Sequence, residues 1–419
     1  MNKNMIVKGA TMDTTTHSHK KHATAVAPFH SHFFESLHKE QWQEVRLGEI
    51  AEIFDHKRVP LSAMQRNNRK GIYPYYGASG IIDYIDDFIF DGEFILISED
   101  GENLKTRKTP IAFRANGKFW VNNHAHIIKG KKPYLNSLII YLFRNIDLNP
   151  YITGAVQPKL NQATLLNISF TIPIAESTRQ QIAEILSSFD DKIDLLHRQN
   201  KTLESLALTL FRHIFIDNPN RNEWKMGKLG DYGKIICGKT PTKTQKEYFN
   251  GEIPFIKIPD MHNKTFVFKT ADTLTQKGFS SQHTKTLPPL SICVSCIATV
   301  GVVSMNALES QTNQQINSIV PHKEYFRYFL YCFMKESFDE LQAMASGGTA
   351  TANLNTTDFS NMAILKPTDK ELQDFHSCVK IYFDKIYNNA KQIWNLQSMR
   401  DMLLSKILNE DSQLRRKEQ

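Results

Sequence analysis

The sequence predicts a mixed α/β (α+β) fold in which two globular domains alternate with two long helices, as an internal repeat. Heptad patterns of apolar residues predict the long helices. Matching sequence ahead of each helix predicts the repeat. Short runs of branched and aromatic residues, bounded by Gly and Asp, predict strands in the globular parts.

The first long helix is predicted over residues 177–216, where apolar residues recur at alternating steps of four and three. Neither Pro nor Gly interrupts this stretch, and Ser177 with Gln180 has the spacing of an N-terminal capping box. A seam of this kind requires a partner helix lying alongside it. The apolar seam positions are Ile182, Leu186, Phe189, Ile193, Leu196, Leu203 and Leu210.

A second seam with the same spacing supplies the partner within the chain. Asp191-Lys192-Ile193 recurs as Asp384-Lys385-Ile386, and Thr368 with Glu371 predicts a second capping box. Two unrelated amphipathic helices would explain the seams but not this recurrence. The apolar positions of the second seam are Phe375, Val379, Ile386, Ile393, Leu396, Leu403 and Ile407.

Matching sequence also precedes each long helix, so the chain is a duplicated unit. The opening Trp42…Leu47-Gly48 matches Trp224…Leu229-Gly230, and residues 154–161 match residues 348–355. Between these matched ends the two globular segments differ strongly. A shared frame with divergent content predicts one task performed on two different targets.

Length and composition restrict the class of protein. A chain of 419 residues predicts two or three domains, and a net charge of +8 permits an anionic partner. No apolar run reaches the roughly 18 residues of a membrane span, and no signal peptide is visible. The five cysteines lack framework spacing, which fits reduced thiols in the cytoplasm.

The chain before the first matched opening is predicted to be a disordered leader, residues 1–41. It holds six of the fifteen histidines. Such a cluster could chelate a metal, but a mobile polar tail or an upstream start-site extension is the simpler interpretation. In the domain that follows, the pattern predicts strands around residues 72–77, 88–90 and 94–98 and a helix over 133–147.

Basic side chains in the loops of both globular domains are candidate contacts to an anion. Each basic pair alone would suit a solvated face. Interleaved with Tyr73, Tyr75, Tyr76 and Trp120, the set is typical of a nucleic-acid surface. With the polar Gln157 included, the DNA-binding candidates are Lys57, Arg58, Lys105, Arg107, Lys108, Gln157, Lys159, Lys239, Lys243, Lys257 and Lys264.

Motifs that would carry catalysis or bind a metal are missing. Gly238-Lys239-Thr240 lacks the upstream Gly of a phosphate-binding loop. Cys293 and Cys296 lie in a β-branched run without a second ligand pair, so a buried strand is favoured over zinc. Neither a methyltransferase motif nor a clustered-carboxylate nuclease site can be placed. We therefore predict a non-enzymatic chain without a metal site.

In its order of elements the sequence resembles the specificity subunits of type I restriction–modification systems. The repeated openings, the matched stretches 154–161 and 348–355, and Pro173 before Arg179-Gln-Gln-Ile-Ala carry the resemblance. The long leader and Arg400 at a seam position depart from it. The implied segments are the leader 1–41, target-recognition domains 42–175 and 219–367, spacer helices 176–218 and 368–410, and a basic tail 411–419.

The resemblance implies how such a chain would work. Each recognition domain would read one half of a bipartite DNA sequence, and the spacer helices would pack as an antiparallel coiled coil with pseudo-twofold symmetry. Two methyltransferase subunits would bind the chain, and restriction (translocase) subunits would add cleavage. S-adenosylmethionine, ATP and Mg²⁺ would bind those partners and not this chain. A stand-alone DNA-modifying or cleaving enzyme fragment and a scaffold without DNA are the alternatives.

Overall fold

The computed structural model describes residue 37 and residues 40–154, 157–346 and 352–414. Most of the predicted leader and the last residues of the basic tail lie outside these ranges. The chain divides into two compact units, residues 1–184 and 185–419, and each is taken by itself. The division falls within the first long helix, whereas the predicted segment limits follow the sequence repeat and stay a prediction.

A six-stranded sheet forms the centre of the first unit. The unit's strands are β1 (Trp42–Arg46), β2 (Ala51–Ile53), β3 (Lys70–Gly77), β4 (Gly80–Ile85), β5 (Phe90–Ser98), β6 (Ala112–Val121), β7 (Ala125–Gly130) and β8 (Ser169–Pro173). The strand order in the sheet is β2-β7-β5-β6-β3-β4. Only the β3–β6 pairing among these neighbours is parallel. The sequence placed a separate strand at residues 88–90, but the chain is extended in the sheet only from Phe90.

Short helices connect these strands, and one longer helix covers β6 and β7. The helices are α1 (Leu47–Ile50), α2 (Ala63–Asn67), α3 (Asn103–Thr106), α4 (Pro133–Asn145) and α5 (Gln162–Leu166). Apolar side chains of α4 are buried from Leu135 to Phe143. Pro133 at the first turn suits the fixed backbone angle of that position, and the helix confirms the one predicted over 133–147.

The globular part of the second unit contains several smaller sheets. Its strands are β9 (Lys225–Lys228), β10 (Gly233–Cys237), β11 (Phe249–Ile256), β12 (Phe266–Val267), β13 (Asp272–Leu274), β14 (Ile292–Ser295), β15 (Val303–Asn306), β16 (Gln311–Thr312), β17 (Ile316–Pro321) and β18 (Ala363–Lys366). One sheet has the order β10-β17-β14-β15-β12 and another the order β13-β11-β16. The mixed α/β class predicted from the sequence is confirmed.

The sequence repeat reappears as matching backbone contacts at the ends of the two globular segments. In the first, β1 pairs with β8 and the amide of Leu47 donates to the carbonyl of Ile168 at 2.9 Å. In the second, β9 pairs with β18 and the amide of Leu229 donates to the carbonyl of Met362, also at 2.9 Å. Each globular segment is thus closed by its own two-stranded ribbon just before a long helix.

Two asparagines at equivalent positions of the repeat each cap the N-terminus of a short helix. Asn161 accepts a hydrogen bond from the amide of Thr164 and caps α5. Asn355 accepts from the amide of Asp358 and caps the helix that precedes β18. An N-cap satisfies an amide that the helix leaves unpaired, so the matched Leu-Asn pairs mark one structural device used twice.

Several helices cover the sheets of the second unit. This unit also contains most of the first long helix and all described residues of the second. Its helices are α6 (Glu176–Phe211), which starts in the first unit, then α7 (Ile258–Met261), α8 (Gln276–Ser280), α9 (Arg327–Glu336), α10 (Phe338–Ala345), α11 (Thr356–Asn361) and α12 (Asp369–Leu414). A π-helical turn, Arg212–Ile216, continues α6 to the predicted last residue. Among the described residues, every helix is too short or too polar to cross a bilayer.

The second predicted capping box is confirmed and the first is wrong. The amide of Thr368 donates to the Glu371 carboxylate at 2.7 Å, and Thr368 Oγ1 accepts from the amide of Glu371. Helix α6, however, already begins at Glu176, which places Ser177 inside the first turn. The Gln180 amide group turns towards Glu184 instead of returning to the helix start.

Within the second unit, α6 and α12 run antiparallel. Phe211 contacts Phe375 near the start of α12, whereas Asp190 binds Arg400 near its other end. Most of the apolar seam is buried and the rest is half-buried. The buried positions are Ile182, Leu186, Ile193, Leu196, Phe375, Val379, Ile386, Ile393, Leu403 and Ile407, and the half-buried ones are Phe189, Leu203, Leu210 and Leu396.

The seam has two kinds of neighbour. Ile193, Leu196, Ile393 and Leu396 form a cluster between the two helices alone. Closer to the start of α12, the helices join the large core of the second globular domain; Phe383, for example, stacks on Tyr328 of α9 at 4.2 Å. The helix pair is therefore both a coiled coil and one wall of the globular domain.

Polar residues fix the register of this seam. Asn389 is 1% exposed and donates to Asn200 at 2.9 Å across the helix pair. Arg400, which departs from the apolar pattern, binds Asp190 across the seam and Asp401 on its own helix. A buried polar pair or ion pair is satisfied in only one alignment, so these contacts select the observed register.

Asn389→Ala should lower the free energy of unfolding of the chain by about 1–3 kcal/mol, because it leaves the Asn200 amide without its buried partner. Asn388→Ala is the matched control, since Asn388 is exposed one residue away and should change stability by less than about 0.5 kcal/mol. Urea unfolding of the full chain measures both. Equal stability of the two variants would show that the Asn pair does not hold the helices together.

Candidate nucleic-acid interface

Three loops of the first unit meet at a buried polar network. Arg58 Nη1 donates to Glu99 at 2.6 Å and to the carbonyl of Ala125 at 2.9 Å. His126 binds Asp55 through Nδ1 at 2.6 Å. These contacts tie the turn after β2 to the end of β5 and the start of β7.

The third loop joins through residues 157–160. His126 Nε2 donates to the carbonyl of Leu160 at 2.7 Å, and Lys159 Nζ lies 3.4 Å from Glu99. The amide of Gly101 donates to the carbonyl of Pro158 at 3.0 Å. We call the surface formed by residues 55–58, 99–108 and 157–160 the three-loop face.

Most first-domain candidates from the sequence lie on the three-loop face. The side chains of Lys57, Lys105, Lys108 and Gln157 are exposed there. Lys57 lies over the ring of Phe54 with its ammonium 5.3 Å from the ring centre, and its side chain is nevertheless exposed. The cations that the structure demonstrably brings together here are Arg58 and Lys159, which both lie against Glu99 although they are far apart in the sequence.

The buried network could be mistaken for a metal site. Asp55, Glu99 and His126 form the one group among the described residues whose ligand atoms all lie close enough to hold a metal ion, within 4.8 Å of one another. Both imidazole nitrogens, however, are already hydrogen-bonded to oxygen acceptors, and a metal would need a free lone pair. The Arg58 guanidinium supplies the positive charge between the carboxylates, so the group fits a structural ion network.

The cysteines of β14 do not fit a zinc site either. Cys293 and Cys296 are buried, which confirms the buried strand predicted for this run. Burial raises the pKa of each thiol to about 12. Neither thiol belongs to a group of three or more potential ligands among the described residues, and each makes a hydrogen bond within the core, Cys296 to the carbonyl of Val294 and Cys293 with the hydroxyl of Ser318.

Some candidate cations serve the fold. Arg107 has a left-handed backbone with φ of 49° and donates through its guanidinium to the carbonyls of Phe143, Arg144 and Ile146. It thereby closes the carboxyl end of α4, where helix carbonyls lack partners. Arg58, held by Glu99 and Asp55, is likewise committed within the protein.

The basic stretch before β3 is also neutralised internally. Arg66 and Lys70 both bind Asp83, and Arg69 binds Asp86. The Lys70 ammonium, together with the amide of Tyr84, holds the pKa of the Asp83 carboxyl below its usual value. The hairpin β3–β4 therefore has fewer unpaired cations available to an anion than its basic stretch alone indicates.

The second unit places its candidate cations at three locations. Lys239 and Lys243 are exposed in the loop after β10, the position equivalent to Lys57 after β2. Lys257 pairs with Asp272 and also lies against the ring of Phe255, so it is committed within the domain. Lys264 faces a cleft beside the long helices.

A family model supports the resemblance drawn from the sequence. The model of the type I restriction modification DNA specificity domain matches residues 39–205 and again residues 221–395. The chain belongs to the type I restriction–modification specificity subunits. Subunits of this family are non-catalytic, and the two matched ranges confirm the duplicated architecture.

Curated relatives agree with this family. The chain is 35% identical to the type I restriction enzyme HindI specificity subunit of Haemophilus influenzae, over 60% of this chain and 71% of that protein. It is 29% identical to the MjaIX specificity subunit of Methanocaldococcus jannaschii, over 74% of this chain and 77% of the relative.

One solved structure supports the fold. The specificity subunit of a type I system from M. genitalium superposes with a TM-score of 0.56 over 88% of this chain and 96% of that one. At 13% sequence identity the match concerns architecture alone. The predicted fold of two recognition domains with long helices is confirmed.

Proposed function

We propose that this chain binds double-stranded DNA and reads a bipartite target, one half with each globular domain. The observation that carries the proposal is that the two globular domains share the same closing elements but contain different sheets. Both domains close with the same ribbon and the same Leu amide contact, yet one holds a six-stranded sheet and the other a five- and a three-stranded sheet. Two globular domains with different sheets, joined to the long helices in equivalent ways, suit two different half-sites.

Exposed cations on the loops would hold the DNA backbone. Lys57, Lys105 and Lys108 on the three-loop face, with Lys239 and Lys243 in the second unit, make no ion pair within the described residues. Exposed lysines without an internal ion pair can neutralise phosphates, which supplies affinity without sequence preference. The Gln157 amide offers both a donor and an acceptor, the pattern that reads adenine in the major groove.

The proposed complex contains two methyltransferase subunits and restriction subunits, acting on DNA in the cytoplasm. We place these protein partners on the long helices, which expose several large apolar side chains. They are Leu195, Leu206, Ile381, Met399 and Met402. S-adenosylmethionine, ATP and Mg²⁺ would bind the partners and supply the chemistry of methylation and cleavage, while this chain would position the DNA.

The variant Lys105→Gln/Lys108→Gln tests the three-loop face. Both lysines would contact phosphate, so we expect weaker DNA binding for every sequence and a log–log salt dependence reduced by about two. Fluorescence anisotropy of a labelled duplex, titrated with the chain in complex with its methyltransferase subunits at several salt concentrations, measures this.

Lys70→Gln is the matched control, because Lys70 is equally basic but already paired with Asp83. It should leave the salt dependence unchanged. Identical salt slopes for wild type and the double variant would place the DNA elsewhere. DNA methylated or cut by the chain alone would favour the enzyme alternative, and no DNA binding by the complex would favour the scaffold.

A further inference from the structure

A cleft of about 680 Å³ opens in the second unit between the α7–β12 region and the long helices. Four lysines line it, and Glu204 is the single carboxylate among its lining residues. The volume is within the range of roughly 300–1,000 Å³ that is typical of small-molecule sites. The lysines are Lys201, Lys264, Lys269 and Lys335.

The carboxylates near this cleft already have partners. Glu204 accepts the hydroxyl of Tyr331 and lies 3.3 Å from Lys335. Asp260, behind the cleft wall, is 7% exposed and accepts the amides of Lys257 and Ala271, each at 2.9 Å.

Three lysines of the cleft have no described carboxylate partner in an ion pair. Lys201, Lys264 and Lys269 make no ion pair with any residue that the structure describes. Partial burial lowers the pKa of Lys264; the Asp260 carboxylate opposes this shift, and the charge of Lys269 adds to it. Partial burial also lowers the pKa of His197; the Asp194 carboxylate, which pairs with Arg198, opposes this shift, and the charge of Lys264 adds to it. The cleft therefore holds mutually repelling cations that an anion would stabilise.

An aromatic wall adjoins the cations. Phe268 and Trp394 lie nearly parallel, at 17°, with ring centres 6.4 Å apart. Tyr387 supports Phe268 from the helix side at 4.9 Å. Trp394 is nevertheless 37% exposed, which leaves indole surface available to a planar group.

We propose that this cleft binds a phosphorylated nucleotide. Lys201, Lys264 and Lys269 hold the phosphate as point charges, and the base stacks on the wall formed by Phe268 and Trp394. A free nucleotide and a nucleotide within a DNA strand share this chemistry. The site is separate from the three-loop face, which belongs to the other unit.

Isothermal titration of the full chain with ADP, pyrophosphate and a single-stranded nonanucleotide distinguishes the two sources. We expect saturable ADP binding that Lys264→Gln/Lys269→Gln weakens at least tenfold. Trp394→Ala should bring the affinity for ADP down to that for pyrophosphate, because it removes the stacking surface. If the nonanucleotide binds at least tenfold more tightly than ADP, with the same dependence on both variants, the source is the DNA strand.

Two controls separate this site from general charge and from the proposed reading of DNA. Lys370→Gln/Lys385→Gln removes two exposed, unpaired lysines of α12 outside the cleft and should leave ADP binding unchanged. Lys105→Gln/Lys108→Gln should weaken duplex binding but not ADP binding. Absence of saturable binding by ADP and the nonanucleotide, or equal binding by wild type and Lys264→Gln/Lys269→Gln, would overturn the nucleotide site.

Discussion

Replacing residues 54–153 with the corresponding region of a related specificity subunit should change one half of the recognised DNA sequence and leave the other half intact. The exchanged segment carries β3 to β7 and α4, whereas the closing ribbon β1–β8 stays with the recipient chain. Each wrong base pair costs about 1–3 kcal/mol, so a half-site with three changed pairs should bind at least a hundredfold more weakly.

Selection of bound duplexes from a randomised library, with the exchanged chain in complex with methyltransferase subunits, measures the new preference. The donor segment should keep a His at the position of His126, because that ring bonds to the carbonyl of Leu160 in the retained part. Exchanging residues 239–346 is the reciprocal control and should change the other half-site. A change in both half-sites after either exchange would refute two independent readers.

Adding one heptad to each long helix, after Leu196 and after Asn389, should widen the gap between half-sites by roughly two to three base pairs. The two insertion points lie within about one helical turn of each other in the antiparallel pair, since Leu196 clusters with Ile393 and Asn389 bonds to Asn200. Seven residues keep the seam in phase and lengthen each helix by about 10 Å. DNA rises about 3.4 Å per base pair.

Selection from a library of gap lengths gives the preferred spacing. The insertion also moves Trp394 away from Phe268, so Trp394→Ala alone is a necessary control and should leave the gap unchanged. Four residues added to α6 alone should weaken binding at every gap, because they break the seam. A lengthened chain that prefers the original gap at full affinity would show that the helices do not measure the distance.

The sequence predicted the parts of the fold that depend on local pattern or on repetition. Periodicity predicts the long helices, and the repeat predicts that Leu47 and Leu229 are equivalent, which their matching amide contacts confirm. Thr368 formed its capping box because the residues it needs are three positions apart. Ser177 did not, because the helix start depends on where the chain leaves β8.

The candidate site was less accessible from sequence because the fate of a charged side chain depends on distant residues. Arg58 donates to Glu99, and Arg107 donates to a carbonyl at the end of α4; both acceptors are about forty positions away along the chain. No local pattern separates these arginines from Lys105 and Lys108, which remain exposed. The cleft at Lys264 was equally hidden, since its aromatic wall joins β12 and α12 across more than a hundred residues.

The most direct test of the central idea is a map of methylated sites in host DNA with and without this gene. We expect one motif made of two short halves, separated by a gap of fixed length, to be methylated only when the gene is present. Restoring the gene with the exchange of residues 54–153 should restore methylation at a motif that differs in one half. Methylation that persists without the gene, or that follows a continuous motif, would contradict a chain that reads DNA with two spaced domains.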